Sequence, residues 1–195
     1  MHTGTKMRLS RILSAVTVPS GVALLAVTWI YIRTGPAFGG IIWYLCALAF
    51  LVLIPVLPYL IPRMNRAGRA PARDTERRTA IIVGVLSYAA GTAVSWAFDA
   101  PLTARTIFTA YFLSGLVLSA VNALFRFKAS GHACGVTGPA TLLAYYVGLR
   151  AALVAASALP LVFWSRLTLR RHTLSQLLAG SVIGICSTLT VLVVL

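Results

Sequence analysis

The sequence predicts an all-α protein that crosses a membrane several times, on three observations: its apolar content, its scarcity of charge and the grouping of its apolar residues into long runs. Of the 195 residues, 59% are hydrophobic and only 10% are charged, and the mean hydropathy is +0.89. A soluble domain has roughly a quarter of its residues charged. This chain therefore has too few charged side chains to cover a water-exposed surface.

The apolar runs are long enough to cross a bilayer, since a helix spanning ~30 Å of hydrocarbon needs roughly 20 mostly apolar residues. We expect seven spans, or six if the first run lies flat or the short fifth and sixth are not separate. The first run follows Lys6, Arg8 and Arg11 and is too long for a signal peptide, so it is expected to be a retained span. The predicted spans are 12–32, 38–61, 80–98, 106–125, 134–149, 151–164 and 173–195.

One polar stretch interrupts this pattern. Residues 62–79 (PRMNRAGRAPARDTERRT) are basic and contain Pro and Gly, which predicts a linker between spans 2 and 3 that forms a loop or lies on the membrane surface. No repeat is present, so residues 1–195 are expected to form a single integral-membrane domain.

The positive charges fall mainly on one side of the predicted bundle. With seven spans, the other face has only Arg33, Arg105 and Arg150. Positively charged loops stay cytoplasmic during insertion, which predicts a multi-pass protein of the cell membrane with the crowded face inside. That face has fourteen of the 17 basic residues: Lys6, Arg8, Arg11, Arg63, Arg66, Arg69, Arg73, Arg77, Arg78, Arg126, Lys128, Arg166, Arg170 and Arg171.

Other classes of protein fit the sequence poorly. The net charge of +14 is typical of nucleic-acid binding, but here the basic residues interrupt apolar runs instead of forming a stripe on a polar domain. The three cysteines have neither a disulfide framework nor a metal-binding spacing. Two histidines without nearby carboxylates make a poor metal site, and we expect no cofactor.

Two short stretches of the crowded face have the residues of an anion site. They are residues 126–132 (RFKASGH) and 165–176 (SRLTLRRHTLSQ), and each has a histidine close to a predicted helix start. The amides and partial positive charge of a helix N-terminus favour a bound anion. Arg166 offers a planar fork for phosphate oxygens and Lys128 a mobile point charge, which predicts a phosphate-sized cage.

These stretches resemble the type 2 phosphatidic acid phosphatase superfamily, which includes lipid phosphatases and vanadium haloperoxidases. Its first element, Pro-Ser-Gly-His, is matched by Ser130-Gly131-His132 with Ala129 in place of proline. Its second element is Ser-Arg-x5-His-x3-Asp. Ser165-Arg166 and His172 match that pattern, with Gln176 in place of aspartate. The resemblance covers roughly residues 122–180, which we expect to form a phosphatase-like core.

The resemblance implies a role for each matching residue. His172 would attack phosphorus and form a phosphohistidine, and His132 would protonate the leaving oxygen and later activate water. Arg166 would hold the phosphoryl oxygens together with the Ser130–Gly131 hydroxyl and backbone amides. Spreading phosphoryl charge over fixed donors lowers the barrier to transfer.

The sequence departs from the family at one further point, and the change at Gln176 has its own consequence. The upstream Lys-x6-Arg-Pro element is absent, and Lys128 and Arg126 are close enough to Ser130 to supply its charge. Gln176 lies four residues after His172, so its carbonyl oxygen can accept from the imidazole N–H and keep its orientation without the charge of an aspartate. Slower chemistry or a changed reaction is expected.

The functional hypothesis is an integral-membrane phosphatase that hydrolyses a lipid or isoprenoid (di)phosphate through a phosphohistidine. Two alternatives stay open: a phosphoryl transferase between lipid carriers, and a catalytically degenerate protein that binds lipid. The expected partners are the lipid or prenyl phosphate and the bilayer, with no nucleic acid. The oligomeric state is left open.

Overall fold

The computed structural model describes residues 6–10, 13, 17–58 and 73–195, and all regular structure within these ranges is helical. Residues 6–10 form a short helical segment before the first long helix. The main helices are α1 (Pro19–Thr34), α2 (Gly40–Ala47), α3 (Arg73–Ala97), α4 (Leu102–Leu124), α5 (Gly131–Tyr146), α6 (Leu149–Ala156), α7 (Ala158–Thr168) and α8 (Leu174–Val194).

Within the described ranges, six helical segments are long and apolar enough to cross a membrane. Their outer surfaces expose large apolar side chains, such as Leu25 at 72% and Ile42 at 69%, which would be unfavourable in water but suit lipid. The chain is therefore a multi-pass helical membrane protein, as the sequence predicts. The six segments are Pro19–Phe38, Gly40–Pro58, Arg78–Ala97, Leu102–Leu124, Leu149–Thr168 and Leu174–Val194.

The second of these segments continues α2 through a wider turn. Residues Leu48–Leu53 form a π-helix, and α-helix resumes over residues 54–58. Pro55 lies two residues after the π-helix. A proline inside a helix has no backbone N–H to donate, and its ring clashes with the carbonyl four residues earlier. The neighbouring α3 contributes a hydrogen bond here, from Ser87 Oγ to the Phe50 carbonyl oxygen at 2.6 Å.

The fifth predicted span is α5, which is shorter than the other six. It has 16 residues, a length of about 24 Å. Nine of the 16 residues are buried, because α5 packs against α1, α4, α6, α7 and α8. It is therefore the central helix of the bundle.

Two predicted boundaries are wrong. Residues 73–79, predicted as the end of the linker, form the start of α3; they contain no Gly or Pro, so nothing stops the helix from extending beyond its apolar part. Residues 62–72 lie outside the described residues. The sixth predicted span, 151–164, is two helices that meet at Ser157, because Pro160 cannot continue the helix that precedes it.

The ends of the helices gather into two groups. Leu102, Tyr146 and Leu195 line one small cavity, so the start of α4 and the ends of α5 and α8 lie together. His132 and His172 lie at the other end of the bundle, which we call the histidine end. We call the end with the cavity the opposite end. The three cations expected on the less charged face are all next to the opposite end, on the last turn of α1 and the first turns of α4 and α6: Arg33, Arg105 and Arg150.

Candidate functional site

Helix α5 begins at the histidine end because Ser130 caps it. Ser130 Oγ accepts a hydrogen bond from the Ala133 amide at 3.4 Å, which satisfies one of the amides that a helix start leaves without an acceptor. His132 is therefore in the first turn of α5. Ser130 is buried, and its own amide donates to the Gln176 carbonyl oxygen at 2.9 Å. That amide links α5 to α8, whereas the Gly131 and His132 amides are in the first turn of α5.

Helix α8 begins with a capping box. Thr173 Oγ1 accepts from the Gln176 amide at 3.4 Å, and Gln176 Oε1 accepts from the Thr173 amide at 3.1 Å. This reciprocal pair fixes both the start of the helix and the position of the Gln176 side chain. It also identifies Oε1 as the oxygen of that side chain, since a backbone amide donates to it.

His172 lies just before this cap, and its ring is held by two acceptors. Nδ1 is 3.1 Å from the Lys128 carbonyl oxygen and 3.2 Å from Gln176 Oε1. Both oxygens can only accept, so Nδ1 has the proton and Nε2 of the neutral ring has the lone pair. The geometry therefore selects the tautomer in which Nε2 has the lone pair.

Arg166 reaches the cluster from the last turn of α7. It is only 5% exposed, and its Nη2 donates to His132 Nε2. A guanidinium has donors only, so His132 Nε2 accepts in this arrangement. The site was expected on two loops with helix N-termini, but its arginine stands at a helix C-terminus.

The reason is the way in which α7 ends. The Arg170 amide donates to the Leu167 carbonyl oxygen and the Arg171 amide to that of Arg166, both at 3.0 Å. This is a Schellman motif, with Arg170 in the left-handed region at φ 50°. The helix thus extends past Arg166, and the turn then brings the chain back to His172.

Ser165 has a structural partner at the other end of the chain. Its Oγ donates to the Ser10 carbonyl oxygen at 2.8 Å, and both residues are buried. Ser165, the serine of the Ser-Arg element, therefore attaches the helical segment 6–10 to α7.

The two basic residues of the first stretch have exposed side chains. Lys128 contributes its backbone carbonyl to His172. Arg126 occupies a turn after α4 with φ 49°, and within the described ranges no hydrogen bond or ion pair joins its side chain to the cluster. The structure thus leaves Arg126 at the rim. It brings together seven predicted residues: Lys128, Ser130, Gly131, His132, Arg166, His172 and Gln176.

Two residues that support the site were not predicted to do so. Asn122, in the last turn of α4, accepts from the Ala129 amide through Oδ1 at 2.6 Å. Gly180 of α8 allows the loop to approach, since a Cβ there would overlap the Ser130 backbone. Two sequence signals could have identified them: the amide side chain of Asn122 in an apolar run, and the Gly-x3-Gly pair of Gly180 and Gly184.

The cluster suits an anion. No acidic residue follows Asp99 in the sequence, and among residues with described positions no three His, Cys, Asp or Glu side chains group together. Cations and helix-start amides are the groups that bind phosphate in proteins.

The fold and this cluster define the protein as a multi-pass helical membrane protein with a cationic, two-histidine cluster at one end of its bundle. Comparison with protein families, with curated proteins and with solved structures gives no match to this chain.

Proposed function

We propose that this protein is an integral-membrane phosphatase that hydrolyses a lipid or isoprenoid (di)phosphate through a phosphohistidine on His172. The observation that carries the proposal is the pair of acceptors on His172 Nδ1, which places the ring proton on Nδ1 and the lone pair on Nε2. The two matched motifs support it, because they supply a second histidine and a buried arginine beside the same loop.

In the first step, Nε2 of His172 attacks phosphorus and the bond from phosphorus to the leaving oxygen breaks. His132 gives a proton to that oxygen. In the structure Arg166 donates to His132 Nε2. A phosphate oxygen is a stronger acceptor for a guanidinium than a neutral imidazole is, so bound substrate draws Arg166 to itself, and His132 Nε2 then takes up from water the proton that it gives to the leaving oxygen.

In the second step, water attacks the phosphohistidine. His132, now neutral, takes a proton from the water, and the bond between phosphorus and Nε2 breaks to release phosphate. Splitting the transfer into two displacements suits a histidine nucleophile. Arg166 and the helix-start amides of Gly131 and His132 would stabilise the charge on the phosphoryl oxygens in both steps.

Apolar side chains near the histidine end favour a lipid substrate. Leu124 is 77% exposed and Phe125 is 73% exposed, at the end of α4. Leu174 and Leu178 of α8 are also exposed. A substrate tail can stay in contact with such a surface while its phosphate enters the cluster.

The test is phosphate release by the purified protein in detergent, from a panel of lipid and prenyl mono- and diphosphates. We expect release from at least one class, and a loss of about a thousandfold or more in His172→Ala and in His132→Ala. The matched control is His2→Ala, which removes the third histidine of the chain and is expected to retain activity. No release from any substrate, or full activity in His172→Ala, would refute the proposal.

The neutral Gln176 favours a second candidate, transfer of the phosphoryl group to an acceptor other than water. Product analysis with a ³²P-labelled substrate separates the candidates: hydrolysis gives free phosphate, whereas transfer gives a new phosphorylated lipid. A degenerate protein that only binds lipid would give neither product and no acid-labile label on the chain.

A further inference from the structure

We infer that Asn122 is a positioning residue for His172 and that it acts through the peptide bond between Lys128 and Ala129. The inference rests on the proposed function for its catalytic consequence, but its structural part stands on hydrogen bonds alone.

A single peptide group joins the two side chains. Its N–H, that of Ala129, donates to Asn122 Oδ1 at 2.6 Å. Its carbonyl, that of Lys128, accepts from His172 Nδ1 at 3.1 Å. The atoms therefore form one chain of hydrogen bonds, from the Asn122 amide oxygen through the peptide to the imidazole. Bonds arranged in this way polarise one another, so an acceptor on the N–H makes the carbonyl a better acceptor for the ring.

The surroundings of this peptide keep the chain of bonds rigid. Ala129 is fully buried, and Asn122 lies in the last turn of α4, a 23-residue helix. The Ala129 amide also donates to the Phe127 carbonyl oxygen at 2.8 Å. Because the Ala129 amide donates to two acceptors, the turn has little freedom to move the Lys128 carbonyl away from His172.

Burial of the asparagine has a cost that this role explains. Its Nδ2 is buried and has no hydrogen-bond partner among the described residues. A buried donor without an acceptor destabilises the folded state, and a leucine of similar size would avoid that cost. The compensating interaction is on the Oδ1 side, at the peptide that contacts His172.

Asn122 thereby helps to orient the His172 ring, as an acidic partner of that ring would otherwise do. Gln176 Oε1 is shared between His172 and the Thr173 amide, so it is not dedicated to the ring. The Lys128 carbonyl is the second acceptor, and it orients Nδ1 only while the loop holds its position. Asn122 is the side chain that holds it.

The experiment compares Asn122→Leu with Asn122→Asp, using Ser119→Ala as the matched control. Leucine removes the acceptor, whereas aspartate keeps the acceptor, loses the donors and adds a negative charge. Ser119 is on the same helix, and its hydroxyl bonds only within that helix, to the Gly115 carbonyl oxygen at 2.7 Å. Two readouts are needed: the ¹⁵N chemical shifts of His172 in histidine-labelled protein, which report the tautomer, and kcat with KM for the best substrate.

For Asn122→Leu we expect the Nδ1–H tautomer of His172 to give way to a mixture, and kcat to fall about tenfold, as for one lost hydrogen bond, with little change in KM. Asn122→Asp should keep the tautomer and kcat, with a higher KM because its charge repels the phosphate. Ser119→Ala should match the wild type. If Asn122→Leu does not fold, Asn122→Ala removes the same acceptor without added bulk and takes its place.

A wild-type tautomer and full kcat in Asn122→Leu or Asn122→Ala would overturn the inference. So would loss of the Nδ1–H signal in Asn122→Asp, because that variant keeps the acceptor. If the wild type releases no phosphate, the proposed function fails, yet the tautomer measurement still tests the link between Asn122 and His172.

Discussion

His172 has a neutral side-chain partner, since Gln176 orients the ring without carrying charge. An amide oxygen fixes the proton on Nδ1 as a carboxylate would, but it stabilises a positively charged ring less, because hydrogen bonds to ionised acceptors are roughly twice as strong. The chemistry proposed for this site therefore relies on orientation more than on charge.

Changing Gln176 to Glu tests this balance. Glutamate keeps the length of the side chain and can still complete the capping box with Thr173. We expect kcat to rise about tenfold, because a charged acceptor adds on the order of 1.4 kcal/mol to the bond with the ring. Gln176→Leu should lower kcat about a hundredfold or more, since it removes the oxygen that accepts from His172 Nδ1 and from the Thr173 amide of the helix cap.

Steady-state phosphate release from the same substrate panel measures both variants. Thermal unfolding in detergent shows how much of the Gln176→Leu effect is loss of the cap. A Gln176→Glu protein that is slower than the wild type would show that charge beside His172 is not what limits the rate.

At the scale of single residues, local spacing predicted part of this site. The contact between His172 and Gln176 was predicted from a separation of four positions on a helix. The contact is present, but His172 lies before the helix cap, and the capping box holds the Gln176 side chain against it. The roles of Asn122 and of the Lys128 carbonyl do not follow from spacing, because they depend on a turn that folds back over the end of α4. Lys128 was expected to act through its ammonium group, and the contact seen in the structure is made by its backbone.

At the scale of helices, the position of the Ser130 loop depends on how closely α8 approaches α5. Gly180 faces the Ser130 backbone, and one turn further on Gly184 faces Thr137 and the Cys134 carbonyl. Thr137 Oγ1 donates across the contact to the Ser181 carbonyl oxygen at 3.0 Å. Small residues allow this approach, and a hydroxyl adds a hydrogen bond between the helices.

Gly180→Ala should disrupt the site while leaving its chemical groups in place. The added methyl group must displace the Ser130 backbone, which costs about 1–3 kcal/mol of stability. A shift of the order of 1 Å in a catalytic group lowers kcat about a hundredfold. Thermal unfolding and phosphate release measure the two effects.

Gly84→Ala is the matched control, since it makes the same change in α3, where a Cβ would come no closer than 4.0 Å to the nearest side chain. That variant should keep full activity and be as stable as the wild type or slightly more so. Equal behaviour of the two alanine variants would show that the close approach at Gly180 is not needed.

Hydropathy predicted the helices well because each apolar run has to be about as long as the bilayer is thick. It could not predict that α7 continues past Arg166, since the turn after Thr168 depends on backbone hydrogen bonds and not on apolar content. The start of α3 was placed too late because the helix extends beyond its apolar part, and the break at Ser157 was not predicted because apolar content does not mark it.

At the scale of the whole molecule, we propose that the histidine end faces the cytoplasm, because positive charge is concentrated there. Arg170→Cys at this end and Arg150→Cys at the opposite end form a matched pair, since both arginines are exposed. The background replaces the native cysteines Cys46, Cys134 and Cys186 with alanine.

A membrane-impermeant maleimide added to intact cells should label Arg150→Cys but not Arg170→Cys. Both should react once the membrane is opened with detergent. Labelling of Arg170→Cys alone in intact cells would reverse the orientation and place the cluster on the outer face.

The hydrogen bond between Ser165 and Ser10 has a consequence for biosynthesis, because it joins residues 155 positions apart. The amino-terminal segment enters the membrane long before α7 is translated, and α8, which supplies Gln176 and Gly180, follows later still. The cluster therefore assembles only after α8 has left the ribosome and joined the bundle. Under the proposed function, a nascent chain has no phosphatase activity until these helices have come together.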